Sequence, residues 1–246
     1  MGAWLGWGGV PAVRGRSSRT RVAAVIAAAG RSARMGQGTP KVLLSLYQVP
    51  VIVRSILPFH HSPRVDDIVV VATEASIERV RELVAQYGLR KVSAVVAGGL
   101  KRQQSVALGL QAVGPCEVVL VHDGARPLVT ADLIERVVEA TREHGAAVPA
   151  VSLRDTVKRV EDDHVVETLN RDELRAVQTP QGFRYEVLVA AHERARQEGF
   201  YGTDDATLVE RMGHPVVVVP GSPENLKITT PEDLAIAEAL LQWREG

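Results

Sequence analysis

From Arg21 onward, short runs of β-branched and small apolar residues alternate with amphipathic stretches, and this rhythm most narrows what the chain can fold into. The runs Val22–Ala27, Ile68–Ala72, Val92–Val96 and Val118–His122 are nearly continuous in apolar residues, as expected for strands buried on both faces of a parallel sheet. Segments with helical periodicity separate and follow them, at Val51–His60, Ser76–Tyr87, Lys101–Ala112 and Thr130–His144. Such a βαβα order predicts an α/β fold of three layers around a mostly parallel sheet. Ligands of these sheets bind beyond the carboxyl ends of the strands. The unusual loops of this chain all follow strands: Ala28–Pro40, Ala97–Gly99 and Asp123–Pro127.

The rhythm breaks between Ser152 and Gln181, a polar stretch with alternation around Thr156–Val160 and Val165–Leu169 and no helical apolar face. It is expected to form an extended hairpin arm that leaves the globule. Regular structure resumes with helices at Tyr185–Gln197 and Asp204–Met212, a strand at Val216–Val219 and a last helix opened by Pro231, where Thr230 and Asp233 supply a start signal. Residues 21–246 therefore read as one domain carrying an arm at about 152–181. Residues 1–20 read as a leader without periodicity: the Arg/Ser-rich, acid-free composition resembles an organellar transit peptide, but a dispensable extension or a start codon placed too early is the preferred reading.

Composition removes several classes of function. The one cysteine, Cys116, excludes an internal disulfide framework or a Cys-rich zinc site, and its Gly-Pro-Cys turn has no basic neighbour to activate it. Aromatic residues make up 4%, too few for a stacking platform for single-stranded nucleic acid. No apolar run approaches the ~18 residues of a membrane span. The net charge of zero conceals an asymmetry, because residues 1–65 hold nine basic groups and no acid. That pattern suggests a localised anionic ligand.

Three loops could bind one. In Ala27-Ala-Ala-Gly-Arg-Ser-Ala-Arg-Met-Gly-Gln-Gly-Thr-Pro-Lys41, small residues allow close backbone approach, and arginines with a closing lysine can neutralise phosphate oxygens. It is neither a Walker loop nor a dinucleotide fingerprint, and a flexible surface loop remains the bland alternative. In His122-Asp-Gly-Ala-Arg-Pro127, Asp123 stands at the ligand edge, where it could bind substrate hydroxyls or a Mg²⁺ carried by phosphates; it could equally cap a turn and pair with Arg126. Gly98-Gly99, followed by Arg102 and Ser105, could face a planar base or simply form a turn. No His/Asp cluster has metal-ligand spacing, although His122 and Asp123 invite the thought.

Taken in order, the AAAG…RM…PK loop, GG…R..S, HDGARP, LRDTVKR, the N-R…QTPQ arm, TDDA and ENLKIT resemble the 2-C-methyl-D-erythritol 4-phosphate cytidylyltransferase family, over about Arg21 to Leu241. The resemblance implies a nucleotidyltransferase sheet, a homodimer joined by the arms, CTP and methylerythritol phosphate as substrates, and Mg²⁺ held mainly by the CTP phosphates. It assigns Arg34 and Lys41 to the transition state at the α-phosphate. Ala28, Ala29, Gly30, Gly99 and Ser105 would hold cytosine and ribose, while Asp123 and Lys227 would meet substrate or triphosphate in the same subunit. Thr156 and Arg171 would reach the acceptor from the partner's arm, with Thr203 adding a contact. Ser32 departs from the family's usual glycine; positive φ there would cost about 1 kcal/mol. A cytoplasmic location is expected, with organellar import a minor alternative raised by the Arg/Ser-rich leader. Two rivals remain: a cytidylyltransferase for another polyol phosphate such as ribitol 5-phosphate, and a catalytically silent nucleotide-binding protein on the same fold.

Overall fold

The computed structural model describes residues 20–30 and 40–245. In chain order come β1 (Val22–Ala28), the short β2–β3 ladder (Ser45–Leu46, Val49–Pro50), α1 (Val51–His61), β4 (Asp67–Ala72), α2 (Ile77–Gln86), β5 (Val92–Ala97), α3 (Arg102–Val113) and β6 (Val118–Asp123). Then follow α4 (Ala131–His144), β7 (Ala146–Ser152), β8 (Lys158–Glu161), β9 (His164–Thr168), β10 (Arg175–Val177), β11 (Gln181–Arg184), α5 (Tyr185–Gln197), α6 (Asp205–Arg211), β12 (Val217–Pro220) and α7 (Pro231–Glu245). The first six helices and the five expected strands fall within a residue or two of their sequence positions.

β1 sits centrally because its small and β-branched side chains can pack on both pleated faces. It pairs in parallel with β4 and β6, and β4 pairs in parallel with β5. Alternate residues then feed two cores. Ala24 and Ile26 face α1, α2 and α4 through Ile52, Ile56, Phe59, Leu83 and Val137. Ala23 and Val25 face α3, α5 and α6 through Val106, Leu110, Leu188 and Val209. Each large apolar side chain so buried contributes roughly 1.5–3 kcal/mol relative to exposure. α3 packs so tightly on β1 that a Cβ on Gly109 would lie 2.5 Å from Val25 Cγ1.

Beyond β6 the sheet departs from the sequence reading. β11 inserts antiparallel between β6 and β7, and β12 pairs in parallel with the other edge of β7. β10 lies on the same edge of β7 as β11, separated from it by the cis Thr179–Pro180 peptide. β7 escaped notice because AAVPAVS lacks a β-branched run and contains Pro149, which normally argues against a sheet interior. Here Pro149 lies opposite the break between β10 and β11, where its carbonyl accepts from Gln178 N at 2.7 Å.

The projecting arm is shorter than 152–181. β8 and β9 form a hairpin exposed along both strands, paired with no other strand among the described residues and closed by Asp162 and Asp163, both with positive φ as a two-residue I′ turn requires. From Arg175 the chain rejoins the main sheet, and Gln178, Thr179 and Gln181 are buried. Polarity suggested solvent, but these groups are satisfied internally: Gln178 Nε2 donates to Ser222 O, and Gln181 Nε2 donates to Asp204 Oδ2. The leader, apart from Thr20, lies outside the described residues.

Candidate active site

The carboxyl ends of β1, β5 and β6 open into a cavity of about 530 Å³. Ala27–Gly30 and Gly98–Gly99 supply backbone and small side chains on one side, while Lys41, Asp123 and Lys227 bring charge. The two glycine-bearing strand ends touch: a Cβ on Gly98 would lie 2.3 Å from Ala29 Cβ and 2.8 Å from Ser105 Oγ. Ser105 Oγ accepts from Gly99 N and donates to Lys101 O, both at 3.1 Å, which ties the loop to the first turn of α3. Gly98→Ala is therefore expected to force these loops apart, at a cost of ~1–3 kcal/mol typical of overpacking. A lowered Tm together with a raised KM for the nucleotide would show it; both unchanged would mean that the loops yield freely.

Asp123 closes β6 and is ringed by cations. Its Oδ2 lies 2.7 Å from Lys227 Nζ and 4.0 Å from Arg126 Nε, and its Oδ1 lies 3.2 Å from Arg102 Nε. Burial alone would raise its pKa, but Arg102 and Lys227 outweigh that and hold the carboxyl far below the usual range. Lys227 reaches this spot because its segment docks on the turn after β6, with Ile228 N donating to Ala125 O and Arg126 Nη1 to Asn225 O. Arg126 Nε is buried and has no hydrogen-bond partner among the described residues.

Of the residues singled out in the sequence, Lys41, Ala28, Ala29, Gly30, Gly99, Ser105, Asp123 and Lys227 line this cavity together. Arg34 and Ser32 lie outside the described residues. Thr156, Arg171 and Thr203 are exposed and absent from the lining. Arg171 Nη1 donates to Arg154 O at 2.6 Å, within the arm's own base, and Thr203 Oγ1 lies 3.3 Å from Thr207 Oγ1. His122 uses both ring nitrogens, on Arg126 O and Thr179 Oγ1, and burial pushes its pKa down to about 4, so it serves as a neutral core residue. The buried Cys116 thiol is pushed up to about 12 by desolvation, consistent with an unreactive side chain.

Sequence and fold both match proteins of known class. Residues 22–243 match the sequence model of the family described as 2-C-methyl-D-erythritol 4-phosphate cytidylyltransferase. The chain belongs to that family. A relative so named from Geobacillus kaustophilus is 46% identical over 221 residues, covering 90% of this chain and 97% of its own. The crystal structure of the cytidylyltransferase from Thermus thermophilus superposes with a TM-score of 0.75 at 36% identity, over 89% of this chain and 98% of that one. The 4-diphosphocytidyl-2C-methyl-D-erythritol synthase structure from Anaerococcus prevotii gives a TM-score of 0.80 at 30% identity, over 91% and 96% of the two chains. The fold is thus the family's α/β nucleotidyltransferase fold, and the chain is a cytidylyltransferase by class.

Within this cytidylyltransferase, sequence reasoning missed the role of Arg102, the buried Asp205, and His192 behind it. Arg102 Nη1 lies 2.6 Å from Asp205 Oδ2, and His192 Nε2 lies 3.1 Å from Asp205 Oδ1. Arg102 stood in the GG…R..S segment and Asp205 in TDDA, but nothing in the sequence joined the two, and His192 was not singled out. The available signal was the adjacent acid pair of Thr203-Asp204-Asp205-Ala206, since two carboxylates at one helix start need partners. Asp204 caps α6 by accepting from Thr207 N, which leaves Asp205 to point inward.

Proposed function

We propose that this protein transfers CMP from CTP to 2-C-methyl-D-erythritol 4-phosphate, giving 4-diphosphocytidyl-2-C-methyl-D-erythritol and pyrophosphate. The observation that carries the reading is the convergence of Lys41 and Lys227 with the small-residue backbone of Ala28–Gly30 and Gly98–Gly99 on one cavity, in a chain of this family. An acceptor phosphate oxygen attacks the α-phosphorus of CTP, the bond to the β-phosphate oxygen breaks, and pyrophosphate leaves. A phosphate monoester has a second pKa of ~6 and is already a nucleophile at neutral pH, so the site needs no general base. It needs positioning and charge neutralisation, which fall to Lys41 and Arg34 at the α-phosphate.

Ala28, Ala29, Gly30, Gly99 and Ser105 hold the nucleoside by close backbone approach and the Ser105 hydroxyl. Asp123 is a hard oxygen donor beside a phosphate-sized, cation-lined cavity, a donor set that fits Mg²⁺ bound mainly through phosphates with one carboxylate. When bound, Mg²⁺ supplies charge neutralisation on the triphosphate oxygens. Lys227 shares Asp123 and is placed to turn toward phosphate.

The acceptor end is assigned to Thr203, Thr156 and Arg171, the last two arriving from the arm of a second subunit. What supports this is the character of the hairpin: Val160, Val165 and Val166 are exposed on a two-stranded ribbon that is marginally stable by itself. A homodimer would cover them. Among the described residues no helix is long and apolar enough to cross a membrane, and we place the enzyme in the cytoplasm with its soluble substrates.

The test is pyrophosphate release by purified protein with each nucleoside triphosphate in turn and either methylerythritol phosphate or ribitol 5-phosphate. CTP with methylerythritol phosphate is expected to be the productive pair. Equal turnover of ribitol 5-phosphate would overturn the acceptor assignment, and no release with any pair would leave a silent nucleotide-binding protein.

A further inference from the structure

Three successive residues at the start of α3 grip the segment that leads into α6. Lys101 Nζ stands 3.3 Å above the Tyr201 ring, Gln103 bonds both Phe200 O and Gly202 N, and Arg102 reaches Asp205. Asp205 is itself immobilised. Its side chain is almost fully buried, its Oδ1 accepts from His192 Nε2, and its backbone N–H donates to Gln181 Oε1 at 3.2 Å. A guanidinium bound in this way has its plane fixed, and its Nε faces Asp123 Oδ1.

The two oxygens of Asp123 therefore differ. Oδ1 is held by an arginine with two carboxylate partners, whereas Oδ2 is held at close range by Lys227, a flexible point charge whose side chain is 39% exposed, with Arg126 Nε farther off at 4.0 Å. A triphosphate entering the cavity competes far more easily for the lysine than for the doubly anchored arginine. We propose that Arg102, locked by Asp205, is a positioning residue that anchors Oδ1 of Asp123, leaving Oδ2 as the atom that Lys227 yields when the triphosphate binds. Asp205 and His192 touch no substrate and act only through this link. The inference rests on Asp123 being part of the working site.

A double-mutant cycle tests it. Asp205→Asn keeps the side-chain shape and removes the charge that fixes Arg102. It is expected to lower kcat about tenfold, within the range of coupling between neighbouring charges, with KM for CTP changed less than about threefold. In an Asp123→Asn background the same substitution is expected to change kcat by less than about twofold, because no carboxylate remains to be positioned. A full tenfold further loss in that background would overturn the proposal and make Asp205 a general structural residue. If Asp123→Asn itself turns over normally, the role given to Asp123 fails and the positioning claim falls with it, a result distinguishable from the additive one. Should Asp205→Asn melt below the assay temperature, Arg102→Lys takes its place. One ammonium cannot span both carboxylates in the manner of the guanidinium, so it should show the same loss, absorbed in the same way by Asp123→Asn.

Discussion

Lys41→Ala is expected to leave a folded protein that binds CTP but turns over roughly 100- to 1000-fold more slowly, the usual consequence of deleting one electrostatic contact to a transition state. The backbone at Lys41 is held by main-chain hydrogen bonds and by the packing of its neighbour Val42. Leu43 N donates to Pro40 O at 2.8 Å and Leu44 N to Lys41 O at 3.2 Å, and Val42 is buried in the core beside α1. The short helical turn Lys41–Leu43 is thus held at the cavity edge by its neighbours. Truncating the side chain removes a cation from the cavity. Charge grows on the α-phosphate only as the new bond forms, so the loss should fall on kcat, with KM for CTP nearly constant. A raised KM at normal kcat would reassign Lys41 to ground-state binding, and normal values of both would remove it from the reaction.

What the sequence revealed of this molecule follows from how locally each feature is encoded. β1, β4, β5 and β6 were legible because a strand buried on both faces must be apolar at nearly every position. Their helices were legible through periodicity, and the last helix through its start signal as well: Asp233 Oδ2 accepts from Thr230 N, as their spacing suggested. β7, β10 and β11 were not, because their pairing is antiparallel, non-local and interrupted at Pro149 and Pro180. Buried Gln178 and Gln181 look like surface residues until their partners in other segments are known.

The site divides in the same way. The loops at strand ends announced themselves through glycines and charges, and Ala28, Gly99, Asp123 and Lys41, which the rule that ligands bind there singled out, line one cavity. The Arg102–Asp205–His192 link joins residues 103 and 13 positions apart. Nothing in spacing along the chain can show such a contact, and only the packing of α3, α5 and α6 on one face of the sheet creates it.

Mixing two inactive proteins, Lys41→Ala and Arg171→Ala, is expected to restore about a quarter of wild-type activity if the arm completes the neighbouring subunit's site. Arg171 follows the β8–β9 hairpin in a short turn, Arg171–Glu173, and its guanidinium is exposed and absent from the cavity of its own chain. Without a second subunit it contributes nothing to that cavity. In a mixed dimer one site receives both lesions and the other neither, so each mixed dimer regains about half of the wild-type activity. Random re-pairing makes roughly half the dimers mixed, and the product is about a quarter when the sites work independently. Subunit exchange must be verified directly, for instance by two differently sized tags captured in one complex. With exchange verified, activity that stays at the level of the separate mutants would show that Arg171 serves its own chain. That outcome would also strip the exposed Val160, Val165 and Val166 of their proposed cover, since the surface would then have no functional reason to meet a second copy.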